Sequence, residues 1–360
     1  MYLRQLFLKD LRNLTAEKLT LHPCCNLFYG DNGSGKTSIL EAVYLLGRGR
    51  SFRSSQLTPV INLDAQNFSL HAKLENASGL QMSLGLDKPK DGRLKMKRDG
   101  EDLRSSAELV RSLPLQLINS DSFLLLQGGP SERREFIDEG LFHVEHAFFP
   151  LWQRFKRILD QRNAALKSRK FLKPEDLRAW DLELAAVGED ITELRLAYLH
   201  CLLPLFKDLL ARFLPPMKVT WLYDKGWGDS SLEEALAQSV YQDRIRQRTH
   251  VGPHRAELQL LVDGVAVKDR LSRGQSKLFV SALLMARARL MFQANNEGGM
   301  VLMDDLEAEL DSHASRLLTH ELLSLGAQLL LTGITPALSQ ILEGSSYQMF
   351  HVEQGRVLEV

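Results

Sequence analysis

"YGDNGSGKTSILEAVYLLGRG", residues 29–49, is the stretch from which the rest of the chain is read. Gly30, Asp31, Asn32, Gly33, Ser34, Gly35, Lys36 and Thr37 fit G-x-x-x-x-G-K-[ST] in full. A short apolar run, "CCNLFYG", ends at the first glycine, and an apolar helical pattern follows until Gly47. Glycines let successive backbone N–H groups turn inward, and a helix starting near Lys36 adds its positive end, so the stretch is expected to cradle phosphates. Lys36 is expected to reach the β and γ phosphates of a triphosphate, and the Thr37 hydroxyl to ligate magnesium.

Such a loop needs an acidic metal ligand at the end of another strand, and "MVLMDD", 300–305, supplies one. Four apolar residues carry the chain through a sheet, and Asp304 then emerges at the edge where open α/β sheets bind ligands. Asp304 is the expected magnesium carboxylate. Asp305 is placed to orient or deprotonate an attacking water, or else forms a solvated turn with Glu307. A third stretch, "LSRGQSK", 271–277, joins Ser272 and Gly274 to a helix opening near Gln275, which makes a second anion site or a simple N-cap.

The 360 residues carry 45 basic and 45 acidic side chains, so no global charge excess announces a nucleic-acid or membrane partner, and only a local basic face could. Three cysteines, Cys24, Cys25 and Cys201, without a CxxC spacing argue against a zinc site or a disulfide framework. The opening "MYLRQLFLKDLRNL" has no signal-peptide core and no apolar run is long enough to span a bilayer, so the expected location is cytoplasmic.

Residues 68–98 give short alternating stretches parted by Asn76, Gly79, Asp91 and Gly92, the pattern of an antiparallel β-lobe. Leu184, Val187, Ile191, Leu194, Tyr198, Leu202, Leu205 and Leu209 form one apolar stripe on a long helix, with "LWQRFKRILDQRNAAL" as its antiparallel partner. After "FLPPMKVTWLY" strands and helices alternate again, with hairpins turning at Asp263-Gly264 and near Gln354-Gly355.

"LSRGQSK" resembles the signature loop of the ABC-type ATPases. "FLKDLRNL", the 29–53 stretch, "LQGGPSERREFID" (126–138), "RNAAL", "THVGPHRAEL" (249–258), residues 270–275 and "DDLEAELD" together resemble the RecF DNA-repair ATPases over essentially the whole chain. Long SMC and Rad50 relatives would need coiled coils of hundreds of residues between the same motifs, and transporter ATPases a glutamate where Asp305 stands.

The resemblance implies an α/β fold: an ABC-type P-loop ATPase head with an antiparallel β-lobe and an inserted short helical, coiled-coil-like arm. It divides as residues 1–130 for the N-terminal half of the head, 131–214 for the arm and 215–360 for the C-terminal half. It implies ATP and Mg2+ as cofactors, held by Gly30 to Thr37 and Ser38, with Arg12 near the nucleotide. Ser272, Arg273, Gly274 and Gln275 would act in trans on a second copy, and Asp311 would stand at the dimer interface. The implied protein is an ATP-induced dimer that binds DNA at single-strand gaps and junctions, helps recombinase loading and SOS induction, and meets a RecR-type mediator. The alternative is an ABC-type ATPase subunit of a transport or other non-DNA complex.

Two departures from the family pattern carry consequences. The lid often written P-E-D-L is here Asn119-Ser120-Asp121-Ser122-Phe123, which leaves open which residue of 116–123 touches magnesium. The position of a switch histidine is Thr332. With Asp at 305 and no histidine at 332, slow hydrolysis is expected, a weak DNA-stimulated ATPase acting as a switch.

Basic clusters that could meet DNA without sequence reading are Lys88, Lys90, Arg93, Lys95, Lys97 and Arg98; Arg154, Lys156, Arg157 and Arg162; Lys167, Arg169 and Lys170; and Arg244, Arg246 and Arg248. His250 and His254 lack a nucleophile or metal partner and read as a packed turn. Arg133 and Arg134 are either ion-paired helix starters or ligand contacts.

Overall fold

The computed structural model describes all residues except Ala77, 169–173, 296–297, 306–311 and Glu343. The chain divides into two compact units, Met1–Ser122 with Ser281–Val360, and Phe123–Val280.

The first unit is built on two six-stranded sheets. One has five parallel strands in the order Tyr347–Glu353, Cys25–Tyr29, Gln328–Gly333, Met300–Met303, Leu115–Ile118, with Arg356–Glu359 as an antiparallel edge. "MVLM" and "QLLLTG" are buried at every residue, the near-continuous apolar run that a parallel sheet covered on both faces requires. Because these strands run the same way, Tyr29, Met303 and Gly333 all end at one edge. Register pairs Met303 with Leu331 and Thr332 with Phe28, which sets the residues following each strand side by side.

The β-lobe is antiparallel, in the order Leu14–Thr20, Tyr2–Leu11, Asn67–Glu75, Gln81–Pro89, Lys95–Arg98, Glu101–Asp102. Alternation in the first strand is interrupted by a register shift between Leu3 and Gln5, and a second time at Asp10, which has φ 54°, so Leu3, Leu6, Leu8 and Leu11 are all buried. With Phe68, Leu70, Leu84 and Leu86 they share one core with Ile39, Leu40, Val43 and Leu46 of the helix Lys36–Arg48. That helix stops where Gly49 takes φ 66° and returns its N–H to the Leu45 carbonyl.

The second unit holds the helices Pro130–Val144, Phe148–Lys167 and Pro174–Phe213. Arg154 with Glu183 and Arg162 with Asp181 show the last two running antiparallel. The long stripe is not wholly apolar. Leu184, Val187, Ile191, Leu202 and Leu209 are buried, but so are Thr192 and Arg195 in the same helix. This unit runs on past Leu214, the expected end of the arm, to Val280. It takes in the three-stranded antiparallel sheet Val219–Asp224, Glu257–Val262, Val265–Ala266, which pairs with neither sheet of the first unit. Its helix Leu232–Arg246 opens on a capping box of Ser231 and Glu234.

Candidate functional site

The loop between Tyr29 and Lys36 is shaped by close approach of backbone. Gly30 has φ 150°, and a Cβ there would lie 2.1 Å from the Val352 carbonyl oxygen. Gly35, at φ 123°, would meet Leu14 at 3.0 Å and the Asn13 amide at 3.2 Å. Gly33, at φ 80°, faces open space. Gly35 is the N-cap of the helix and supplies no side-chain cap, so the positive end of the helix is open to an anion. Lys36 Nζ donates to the carbonyls of Gly30 at 2.7 Å and Asp31 at 2.8 Å, across the mouth of the loop. Ser34 Oγ is buried and has no hydrogen-bond partner among the described residues. A buried orphan hydroxyl, a glycine cradle and an open helix end fit a polyphosphate.

Asp304 follows the strand Met300–Met303, and its carboxylate accepts from Thr37 Oγ1 at 3.0 and 3.1 Å. Thr332 Oγ1 donates to the same carboxylate at 2.7 Å and accepts the Asp305 N–H at 2.7 Å. Burial raises the Asp304 pKa, the bonds from Thr332 and Thr37 oppose that, and Asp305 adds to it. A desolvated carboxylate beside a hydroxyl is a donor set that a divalent cation would complete, with Thr37 and Asp304 as its ligands. Asp305 holds φ 57°, a left-handed conformation that costs a non-glycine residue energy and turns its side chain out of the strand line. Of Asp304, Thr37, Lys36 and Asp305, expected in one site, the fold brings Thr37 and Asp304 into contact, with Lys36 and Asp305 next to them in the chain.

Arg12 was expected beside the nucleotide. Its guanidinium grips the fully buried Glu41 of the P-loop helix at 2.9 and 2.8 Å and the Pro59 carbonyl at 2.8 Å. Ser51 also donates to Glu41, and Arg53 lies 3.6 Å from it. Asn13, one residue on, is the side chain that reaches the loop. Its Nδ2 donates to the Gly33 and Ser34 carbonyls at 3.2 and 3.0 Å, and Ser38 donates to its Oδ1. Ser38 is therefore buried in support of the loop. Gly355 joins from the far end of the chain, its N–H donating to the Ser34 carbonyl at 2.9 Å. No periodicity marked Asn13, Val352 or Gly355, because their contacts arise only when separate strands converge. Asp31 and Asn32 are exposed at the loop's tip.

In "LSRGQSK" the Ser272 N–H donates to Gln275 Oε1 at 3.0 Å and the Gln275 N–H to Ser272 Oγ at 3.3 Å. The pair is a reciprocal cap on the helix Arg273–Asn295. Ser272 and Arg273 are exposed. In the lid stretch, Gln116 accepts from Arg287, Asn119 and Ser122 bond each other, and Ser120 and Asp121 are exposed. Asp311 and Glu307 lie outside the described residues, as do Arg169 and Lys170.

Two of the basic candidates are corrected. Arg162 is 0% exposed and holds Asp181 at 2.6 Å and Asp243 at 2.7 Å. Lys88 is buried and donates to the carbonyls of Pro89 and Gly92. Arg162 does not reach solvent, and Lys88 is buried with its ammonium turned onto backbone carbonyls. Lys90, Arg93, Lys95, Lys97 and Arg98 remain exposed on the β-lobe, as do Arg246 and Arg248 in the second unit. Arg133 is ion-paired, bidentate on Glu257 at 2.7 Å. His250 bonds Asp243 at 2.7 Å, and no cluster of three metal-ligating side chains occurs among the described residues. No described helix is long and apolar enough to cross a membrane.

The family model described as "RecF/RecN/SMC N terminal domain" matches residues 2–357. The chain is 41% identical over 362 residues to a protein named DNA replication and repair protein RecF from Pseudomonas aeruginosa (strain LESB58), covering 99% of this chain and 97% of that one. A protein of the same name from Edwardsiella ictaluri (strain 93-146) is 39% identical over 358 residues, covering 99% of each. A solved structure described as the recombination mediator protein RecF-ATP in the RecFOR pathway shares the fold. Its TM-score is 0.89 at 24% identity, covering 100% of this chain and 97% of that one.

Proposed function

The chain belongs to the RecF/RecN/SMC N-terminal-domain family, among the RecF DNA replication and repair proteins, and from that premise we propose that it is an ATP-driven DNA-binding switch of recombinational repair. The observation that carries the reading is the hydrogen-bonded contact of Thr37 with Asp304, which joins the P-loop to the acidic strand end across 267 residues of sequence. ATP is held by Gly30 to Thr37, and magnesium by Thr37 and Asp304. When bound, the metal neutralises developing phosphate charge. Lys36 then exchanges the Gly30 and Asp31 carbonyls for phosphate oxygens. Thr332 holds the Asp304 carboxylate in one orientation. Asp305 positions water and takes its proton. A short aspartate reaches less far than a glutamate, which favours slow hydrolysis and a long-lived bound state.

The signature residues Ser272 to Gln275 act on nucleotide held by a second copy. Their reciprocal cap keeps the hydroxyl at a helix N-terminus, where an incoming γ-phosphate replaces Gln275 as its neighbour. Nucleotide so shifts the monomer–dimer balance. Exposed lysines and arginines contribute phosphate contacts to DNA at gaps and junctions, without sequence reading. Recombinase loading, SOS induction and a RecR-type mediator follow from the same family reading.

Light scattering of the full chain with ATP and magnesium tests the sandwich. A dimer is expected for the wild type and a monomer for Ser272→Arg and Lys36→Met, while Asp305→Asn should hold the dimer longer. Equal masses for wild type and Ser272→Arg under every nucleotide condition would remove the in-trans role.

A further inference from the structure

Two quoted motifs, 126–138 and 249–258, take no part in the phosphate site, and both lead into one pocket of the second unit, with a volume of about 240 Å3. Trp152 and Phe155 form apolar walls, and Arg134, Asp138, Arg195 and His254 supply the polar lining. Arg195 is spent. Its Nε and Nη2 hold the two Asp138 oxygens at 2.8 Å each, and Nη1 donates to the Pro253 carbonyl at 2.7 Å. Arg134 is not spent. It makes one hydrogen bond, from Nη1 to the Ala256 carbonyl at 2.7 Å, and no ion pair among the described residues.

The lining therefore counts two guanidiniums against one carboxylate, with His254 neutral because burial depresses its pKa to about 4, a net charge of +1. Burial, and then the neighbouring Arg195, lower the Arg134 pKa, while the more distant Glu257 and Asp138 carboxylates, neither in an ion pair with it among the described residues, oppose that. Further positive charge stands close by. Lys156 Nζ lies 5.1 Å from the Trp152 ring centroid, and Arg255 follows His254. The His254 ring sits 5.9 Å from that of Phe155, so aromatic surface and unspent donors meet in one place. The remaining N–H groups of this half-buried guanidinium are not among the buried, unpartnered ones, so an anion can take the place of water there, and aromatic walls select an anion that carries a flat ring.

We infer that this pocket binds a nucleotide unit, its phosphate on Arg134 and its base against Trp152 and Phe155. The site is separate from the P-loop. Where the nucleotide belongs to a strand, the inference rests on the DNA reading above; where it is free, it stands without that reading. The Arg134 fork with the positive charge of Lys156 and Arg255 nearby suits a doubly charged phosphate better than the single carboxylate of an aromatic peptide end.

The test uses the full chain with its P-loop saturated by a non-hydrolysable ATP analogue and magnesium. Calorimetry measures dTMP, with N-acetyltryptophan as the aromatic carboxylate control, and anisotropy measures a labelled (dT)10. The variants are Arg134→Gln, which keeps a donor for the Ala256 carbonyl, and Trp152→Leu. Unchanged affinity for the ATP analogue and an unchanged urea midpoint certify the fold of each. One dTMP per chain, weakened at least about tenfold in both variants, establishes the pocket with a free nucleotide as ligand. If dTMP does not bind but (dT)10 does, the same tenfold loss in both variants establishes it with a strand as the source. The proposal is overturned if neither variant moves either ligand, or if N-acetyltryptophan binds the pocket and dTMP does not. An oligonucleotide that fails to bind at all counts against the DNA reading by itself. The dTMP result then still decides the pocket, which falls if dTMP also fails.

Discussion

Thr332 uses one hydroxyl twice, donating to the buried Asp304 carboxylate and accepting the Asp305 N–H. Replacing it with valine keeps the volume, takes one of two hydroxyl donors from Asp304, which keeps Thr37, and strands the Asp305 N–H, at a cost of about 1–3 kcal/mol. Thr332→Val should lower the urea midpoint and slow ATP hydrolysis, and Thr332→Ser should restore both; a valine variant with wild-type turnover would deny Thr332 any hold on the site. From sequence this residue was only the place where a histidine is missing. Its role needed the strand register, which sets position 332 beside the chain leaving Met303. Arg162 shows the same limit. It reads as one more basic residue on an arm, yet it is fully buried between Asp181 and Asp243, with Thr249 also accepting from it. Arg162→Ala leaves two acidic groups buried without their cation, and should cost about 3–5 kcal/mol in denaturant unfolding. A loss below about 1 kcal/mol would mean that the aspartates find water instead.

At the scale of elements, the P-loop, the parallel strands and the hairpins were legible because each is a local pattern. Asp263-Gly264 and Gln354-Gly355 turn the expected hairpins, with positive φ at all four residues. The glycines of the P-loop differ in a way the motif does not state. Gly30→Ala drives a methyl into the Val352 carbonyl, whereas Gly33→Ala meets no atom and suffers only backbone strain of about 1–2 kcal/mol. Equilibrium binding should show ATP affinity abolished by the first and reduced by the second. Equal losses would mean that φ, not the close approach, is what matters. The signature helix is the opposite case: Ser272 caps it by ordinary local chemistry, so the element forms whether or not a second copy ever arrives.

The whole molecule answers to pH through groups that burial has displaced. His254 is pushed to about 4, mainly by burial, with Arg255 and Arg134 adding to it and the bond to the Thr249 carbonyl opposing it. The unfolded chain takes up this proton near pH 6.5, while the folded chain resists until about 4. Stability from this group is therefore complete above pH 6.5 and is lost as pH falls toward 4, about 3 kcal/mol in all. Urea midpoints measured across that window should fall for wild type and flatten in His254→Gln. Parallel curves would assign the acid loss to other groups.

What the sequence determined by itself is what local chemistry dictates. A glycine run between a strand and a helix reads as a phosphate loop, and an apolar quartet ending in two aspartates as a buried strand with carboxylates at its tip. These are short-range facts, complete within a few residues. The tertiary structure decided which polar side chains are spent on the protein itself. Arg12 is committed to Glu41, Arg162 to its aspartates and Arg195 to Asp138, while Asn13 holds the loop and Arg134 keeps donors to spare. A long charged side chain looks the same in sequence whether it faces water or carries a core. Only the partners that folding brings within 3 Å separate the two, because a buried charge must be paired and an exposed one need not be.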